Sequence, residues 1–562
     1  MKLNSRFTKS IKGKLFLVLI SLFIIGCSPS PPDEVKKNRY SENISSVLPS
    51  GFYTDDIDVN IYCSSKGSLF YTLNGKTPKP GTNYTYKITE GLNTSDLEPT
   101  EGYLVPTTMD GFEERYETQE NVTMPIRGYS IKVARIFNDS IHESCVFNYI
   151  IDSEYEGKGI ESVMININYD DLFDDKTGIY AIGDVLKEYQ QGNENYFKKG
   201  TKWERACEFQ YLNKKGVVEY TAKSGLSIFG YISRKHPQKS LKLSAKKKYG
   251  NKKFKHQFFQ NGPQACKRLI LRSAFSGWKG GIYQDCFVSE ACKDLNFEVG
   301  CQKPVSVFMN GEYWGIHFLT EKIDRFYLQD HFKLNTDSVH IVRDNGRSDN
   351  GKADSYKAIK EFIKKNDLKI KSNYNHFCDE MDVDNMIDWY IAETFFQNED
   401  WPCNNTKLWK QKSDTAKWRN FLVDMDATMI SDTLNALNRF YNFTNLQFHN
   451  RRNRCSVIFQ NLLRNVEFQE QFYNRYVAIL NNEFSSIKLN SLFKKYQELF
   501  DRDNILELNQ ERWDYPDSGD FEDAEDTRSD WVVKRQAIAL SQLKKFMKQV
   551  EVDAELPFVK YL

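Results

Sequence analysis

The sequence predicts an α+β chain in which a β-sandwich comes first, a β-rich lobe follows and an α-rich lobe closes it. Three observations predict it: apolar residues alternate with period two from about 47 to 150, strand-like runs recur between 161 and 319, and the period turns helical after about 354. In the first segment, the alternation of 57–62 and 68–73 is broken by the turn pair Asn74-Gly75 and by Pro78 and Pro80; 130–136 and 144–150 read as further strands. In the second, the strand-like runs are 162–168, 206–212, 240–243, 268–271, 305–309 and 315–319. The helical runs are 356–365, 383–396, 457–480, 489–499 and 529–550, and the acidic stretch 514–526 reads as a solvated loop. The expected boundaries are a signal peptide at 1–26, a tether at 27–45, the sandwich at 46–150 and one large unit at 155–548.

Composition narrows the function classes. Of 562 residues 40% are hydrophobic and 14% aromatic, which excludes wholesale disorder. Lys and Arg number 77 against 76 Asp and Glu, so the chain lacks the basic excess that would make nucleic acid its partner. Lys2, Arg6, Lys9, Lys12 and Lys14 precede an apolar run at 15–26; without those five bases the chain carries −4, from 72 basic and 76 acidic residues. That run is shorter than the roughly 20 residues a spanning helix needs, and it reads as an export signal. Ile24-Ile25-Gly26-Cys27 resembles a bacterial lipobox, whose cysteine is acylated, and the polar, proline-rich 28–34 suits a tether. The expected location is therefore the cell envelope, with Cys27 anchoring the protein to the outer membrane or cell surface of a bacterium; a soluble secreted protein is the alternative. The ten other cysteines show no C-x-x-C pair and no zinc-type spacing, and both disulfides and buried free thiols remain open.

H-E-x-x-H, G-x-S-x-G and the P-loop pattern are absent. Asp400 and Asn405 stand in D-x-x-x-x-N spacing inside a polar, proline-containing loop. A predicted hairpin then carries Asp424-Met425-Asp426 back toward them after the apolar Phe421-Leu422-Val423. A loop of that spacing supplies a kinase with an aspartate for the acceptor hydroxyl and an asparagine for metal, and a second aspartate beyond the hairpin holds metal on the nucleotide phosphates. Asp and Asn are also ordinary turn formers. Two carboxylates at a strand end are costly unless paired, solvated or bound to a cation.

Several blocks, in order, resemble the spore coat protein H family, the CotH kinases: 230–243 with Ser233-Arg234 and Lys239-Ser240, 305–315 running on to Glu321-Lys322-Ile323-Asp324, 400–405, 424–426, and Arg535 in the last helix. The first segment resembles the domain at the C-terminus of chitobiases and β-hexosaminidases, through Gly51-Phe52-Tyr53 and 70–78. The first resemblance implies a two-lobed atypical protein-kinase-like fold, ATP with Mg or Mn, and phosphorylation of protein serine or threonine hydroxyls. It implies Lys239 and Arg234 at the nucleotide, Glu321 pairing with Lys239 or helping to bind metal, Asp400 at the acceptor hydroxyl, and Asn405, Asp424 and Asp426 at the metal. Lys239 also lies in the basic run 235–248, of the kind that usually forms a solvated face, and Glu321-Lys322 also reads as a surface pair. Gln238 stands where the family has the first lysine of a pair, and no G-x-G-x-x-G covers the phosphates. The second resemblance implies an accessory spacer or docking module, with a cell-surface glycan as a candidate partner. The rival function is a non-catalytic surface scaffold or glycan-associated binding lipoprotein.

The anchor is tested by Cys27→Ser, which is expected to move the protein from the membrane fraction to the soluble fraction. Unchanged membrane association would count against lipidation.

Overall fold

The computed structural model describes residues 38–39, 41–89, 91–97, 126–153, 159–183, 192–273, 281–344, 346–402, 404–442, 456–501, 505–513 and 518–558. The signal segment, Cys27, Cys403, Cys455 and most of the insertion near 89–119 lie outside them. The chain is mixed α+β. Among the described residues no helix is long and apolar enough to cross a membrane, and Cys63, Cys145, Cys207, Cys266, Cys286, Cys292, Cys301 and Cys378 are free thiols.

The N-terminal unit is built around one long hairpin. Arg127–Phe137 and Ser140–Ile151 pair through the two-residue turn Asn138-Asp139, both in the left-handed region that such a turn requires. The hairpin sits inside a five-stranded sheet with Gly51–Tyr53, Ser68–Thr72 and Tyr86–Lys87. Period-two alternation splits its side chains between two cores. Tyr129, Ile131, Val133, Phe147 and Tyr149 face inward with Ile44 and Ile61 of a three-stranded sheet.

The opposite face of that hairpin packs on a closed seven-stranded barrel. The barrel order is Glu161–Ile167, Arg205–Leu212, Val218–Ile228, Leu241–Ser244, Arg268–Ser273, Glu312–Glu321 and Gln302–Met309, closed by parallel pairing of the last with the first. Ile150 joins Met164, Leu212, Phe308 and Tyr313 in a shared apolar cluster. Asn148 Nδ2 donates to Gln210 Oε1 at 3.0 Å, and Asn166 Nδ2 donates to Ser130 Oγ at 2.9 Å. Gly128 and Gly311 meet backbone to backbone: a Cβ on Gly128 would lie 1.9 Å from the Gly311 carbonyl oxygen.

Alternation also organises the barrel. Leu241, Leu243, Leu269, Leu271 and Leu319 fill its interior, which turns Lys242, Arg268, Ile270 and Arg272 to the outer face. Next in the chain, the helix Gln284–Ala291 precedes Glu298–Val299, which joins Arg419–Leu422, Lys407–Gln411, Val339–Arg343 and Arg347–Asn350 in a second five-stranded sheet. Helices from Asp354–Lys365 to Ser518–Ala554 bury a large aromatic core around Phe395, Phe396, Phe459, Phe484 and Trp531.

Two sequence expectations change. Residues 518–526 of the acidic stretch are helical, not a loop: they open Ser518–Ala554, where buried Phe521 and Trp531 anchor the helix and acidic residues near its start suit the dipole. The single helix expected at 457–480 is two, Val457–Leu462 and Val466–Asn481, because Asn465 caps the second by accepting from Phe468 N at 3.2 Å.

Gly128→Val tests the junction. The added side chain strikes backbone, so the expected outcome is a lower melting temperature and faster proteolysis at 154–158 with strand content retained. Wild-type melting and digestion would refute the close approach.

Candidate active site

Arg272 is the last outward residue of its strand. Its Nη1 donates to Asp285 Oδ2 at 2.6 Å, and its Nη2 donates to Asp426 Oδ2 at 2.6 Å and to Asp424. Asp285 lies in the first turn of Gln284–Ala291 and accepts through its other oxygen from Met425 N at 2.9 Å. One carboxylate thereby holds both the guanidinium and the backbone between Asp424 and Asp426. The three carboxylates keep Arg272 protonated well above its ordinary range against the opposing effect of burial.

The hairpin expected from the sequence is present, Lys407–Gln411 against Arg419–Leu422. It brings Asp424 back to the loop carrying Asp400 and Asn405. Asn398 ties the two segments together: Oδ1 accepts from Asp400 N at 3.1 Å, while Nδ2 donates to Glu393 Oε2 at 2.9 Å and to Asp424 O at 3.5 Å. Gln397, Asn405 and Asp424 all have positive φ, at 62°, 56° and 62°. That conformation costs about 1–2 kcal/mol for a side-chain-bearing residue, least for Asn and Asp, so its concentration here marks a loop held by its surroundings.

Burial first, and crowding of like charge second, set the electrostatics. Burial and then Asp424 push Asp426 up to about 7, with Asp285 and Asp400 adding to the rise and Arg272 opposing it. Asp400 is raised by partial burial, then by Asp424 and Glu399, while Asn405 pulls it down. Glu393, fully buried below the loop, is raised by burial and by Asp424, with Asn398 and Trp389 opposing. These oxygens suit a hard divalent cation. The Asn405 amide lies against Asp400, whose carboxyl it lowers, and turning that amide over presents its oxygen to a cation. Among the described residues no group of three His, Cys, Asp or Glu side chains stands in metal geometry; the Arg272 guanidinium itself occupies the space between Asp424 and Asp426.

Asp400, Asn405, Asp424 and Asp426 therefore converge. Lys239, Arg234 and Glu321 take partners elsewhere. Lys239 Nζ donates to the Arg234 and His236 carbonyls, each at 2.8 Å, and sits 4.1 Å from the Tyr196 ring centroid; burial pulls its ammonium down to about 7. Arg234 donates to the carbonyls of Gly230, Tyr196 and Ile228, each at 2.7 Å. Glu321 meets His331 Nε2 at 2.8 Å and accepts from Cys301 N at 3.0 Å, so the expected pair with Lys239 does not form. Solvated face and surface pair fail equally, since Lys239 and Glu321 are both buried. Sequence reading missed Arg272, Asp285 and Asn398. The available signal was Arg272, an ionised residue directly after the apolar run Leu269-Ile270-Leu271.

The family model described as CotH kinase protein matches residues 226–539, a span that holds every residue of this site. No curated protein matches the chain.

Asp426 predicts a pH dependence. Its folded pKa lies above its ordinary 3.8, near 7, so stability present at low pH is lost as pH rises between those values. In chelator, Asp426→Asn is expected to melt above wild type at about pH 8 and close to it at about pH 4. A parallel offset at both pH values would reject the crowding argument.

Proposed function

The chain belongs to the CotH kinase protein family, and from that premise we propose that it transfers phosphate from ATP to serine or threonine hydroxyls of a protein. One observation carries the reading: a strand arginine held by a helix carboxylate and by Asp424 and Asp426, beside Asp400. Protein kinases place a strand lysine, a helix glutamate and a metal-binding aspartate in the same relation; here Arg272, Asp285 and Asp424 take those positions. Asp424, Asp426 and Asn405 hold Mg or Mn, which when bound neutralises charge on the phosphates. Arg272 supplies fixed positive charge to the transferred group. Asp400, whose carboxyl is raised by burial and then by Asp424 and Glu399, orients the acceptor hydroxyl and in its ionised form takes its proton. Asn398 holds Asp400 and Asp424 in register.

The export signal and the lipobox support an envelope protein anchored through Cys27. The N-terminal unit then serves as a rigid spacer and docking module. Half-exposed Tyr62 and Tyr86 on that unit favour the second reading, a glycan-associated scaffold, because flat aromatic faces stack on sugar rings.

The deciding assay incubates wild type, Asp400→Ala and Asp424→Ala with labelled ATP, Mn or Mg and a serine-rich acceptor. Asp424→Ala is expected to lose metal-dependent nucleotide binding and transfer. Asp400→Ala is expected to lose about 10²–10⁴-fold in transfer while still binding nucleotide. Equal incorporation by all three, or no nucleotide binding by wild type, would overturn the kinase reading in favour of the scaffold.

A further inference from the structure

The outer barrel face beside Arg272 carries more positive charge than its carboxylates match. In the sheet register Lys242 stands opposite Ile270, and Arg268 lies on the same face two residues beyond Ile270. Lys322 follows the strand Glu312–Glu321, which pairs with the strand of Arg268. Arg268 and Lys322 share one carboxylate: Asp324 Oδ2 is 2.5 Å from Arg268 Nη1 and 3.2 Å from Lys322 Nζ. Asp349, the next carboxylate, is engaged by Lys407 at 3.1 Å and by Arg343 at 3.8 Å. Lys242 has no hydrogen bond or ion pair among the described residues, although it is half-buried. Burial, then Lys322 and Arg268, pull its ammonium down to about 8, with Glu204 opposing and Lys246 adding to the fall. Next to this face a cavity of about 280 Å³ is lined by Arg268, Lys322, Asp324, Arg325, Asp349 and Asn350, with Ile341 its one apolar wall.

A shielded cation among cations is unfavourable unless an anion joins it. We propose that Lys242, with Arg268 and Lys322, is the grip for the phosphate chain of the nucleotide, a role that Lys239 cannot fill because its ammonium is committed to two backbone carbonyls. The proposal rests on the phosphoryl-transfer reading. Its geometry is a ruler along one strand: Arg268 and Arg272 are four residues apart, roughly 13 Å. A polyphosphate running from the cavity to Asp424 and Asp426 passes Lys242 midway. The base and ribose end then faces the polar cavity, where Asp324, Asp349 and Asn350 offer acceptors.

The test titrates the full-length protein and its Lys242→Met, Lys242→Gln and Lys239→Met variants with tripolyphosphate, MgATP and adenosine by calorimetry. Both Lys242 variants are expected to bind tripolyphosphate and MgATP about 10- to 100-fold more weakly, to bind adenosine as wild type does, and to melt no lower than wild type. Folded Lys239→Met is expected to bind tripolyphosphate like wild type. Wild-type affinity for tripolyphosphate in both Lys242 variants would overturn the grip, as would wild-type protein that binds an acidic peptide but no tripolyphosphate. Failure of the kinase reading shows separately: tripolyphosphate binding that depends on Lys242, without transfer by wild type, leaves the grip standing and removes the transfer.

Discussion

Everything in the site depends on the charge balance around Arg272. One guanidinium faces three carboxylates drawn from two separate segments, Asp285 in the helix after its strand and Asp424 and Asp426 beyond the hairpin. Without the guanidinium, three carboxylates would crowd a partly desolvated space, and the raised Asp426 shows that one cation does not fully offset them. The residual negative charge favours a further cation. The barrel, the helix and the hairpin are each held against the same few atoms, so local structure and site chemistry are one constraint.

The loop bearing Asp400 is fixed from below by the helical core. Among the described residues Arg535 is buried without an ion pair; its Nε donates to the Phe395 carbonyl at 2.9 Å and its guanidinium lies against the Phe395 and Trp531 rings. It thereby satisfies a carbonyl at the C-terminal end of Val383–Phe395, where helix carbonyls lack partners of their own. Trp531 Nε1 donates to Gln397 Oε1 at 2.9 Å, and Gln397 Nε2 donates to Leu434 O at 2.7 Å. The last long helix therefore sets where the loop begins, and Asn398 sets how it meets Asp424. Arg535 belongs to the blocks that carry the family resemblance, and its contacts give that position a structural cause.

Lys239 and Arg234 teach a complementary lesson. Lys239 stands in the basic run and Arg234 just before it, and both match family positions, yet both end in a buried pocket where they donate hydrogen bonds to backbone carbonyls. Carbonyls left unpaired by the irregular segments at 196–198 and 228–236 need donors, and long cationic side chains supply several at once. The same run leaves Lys242 on the opposite, outward face, because a strand begins at Leu241 and alternation takes over.

The sequence by itself determined the element types. Period two marked 130–136, 144–150 and 162–168 as strands, and the Asp400, Asn405 and Asp424 spacing marked loop, hairpin and return. These are local properties, carried by alternation and turn chemistry within a few residues. Only the tertiary structure decided that seven strands close into a barrel by parallel pairing of residues 161–165 with 305–309, and that Arg272 meets Asp424 across 152 residues of chain. It also decided that Lys239 points away from the carboxylates and Lys242 lies near the cleft residues. Closure and charge pairing depend on which faces meet after the chain has folded. A motif records residue types and spacing along the chain, whereas the direction of an ammonium is set by the burial of its neighbours.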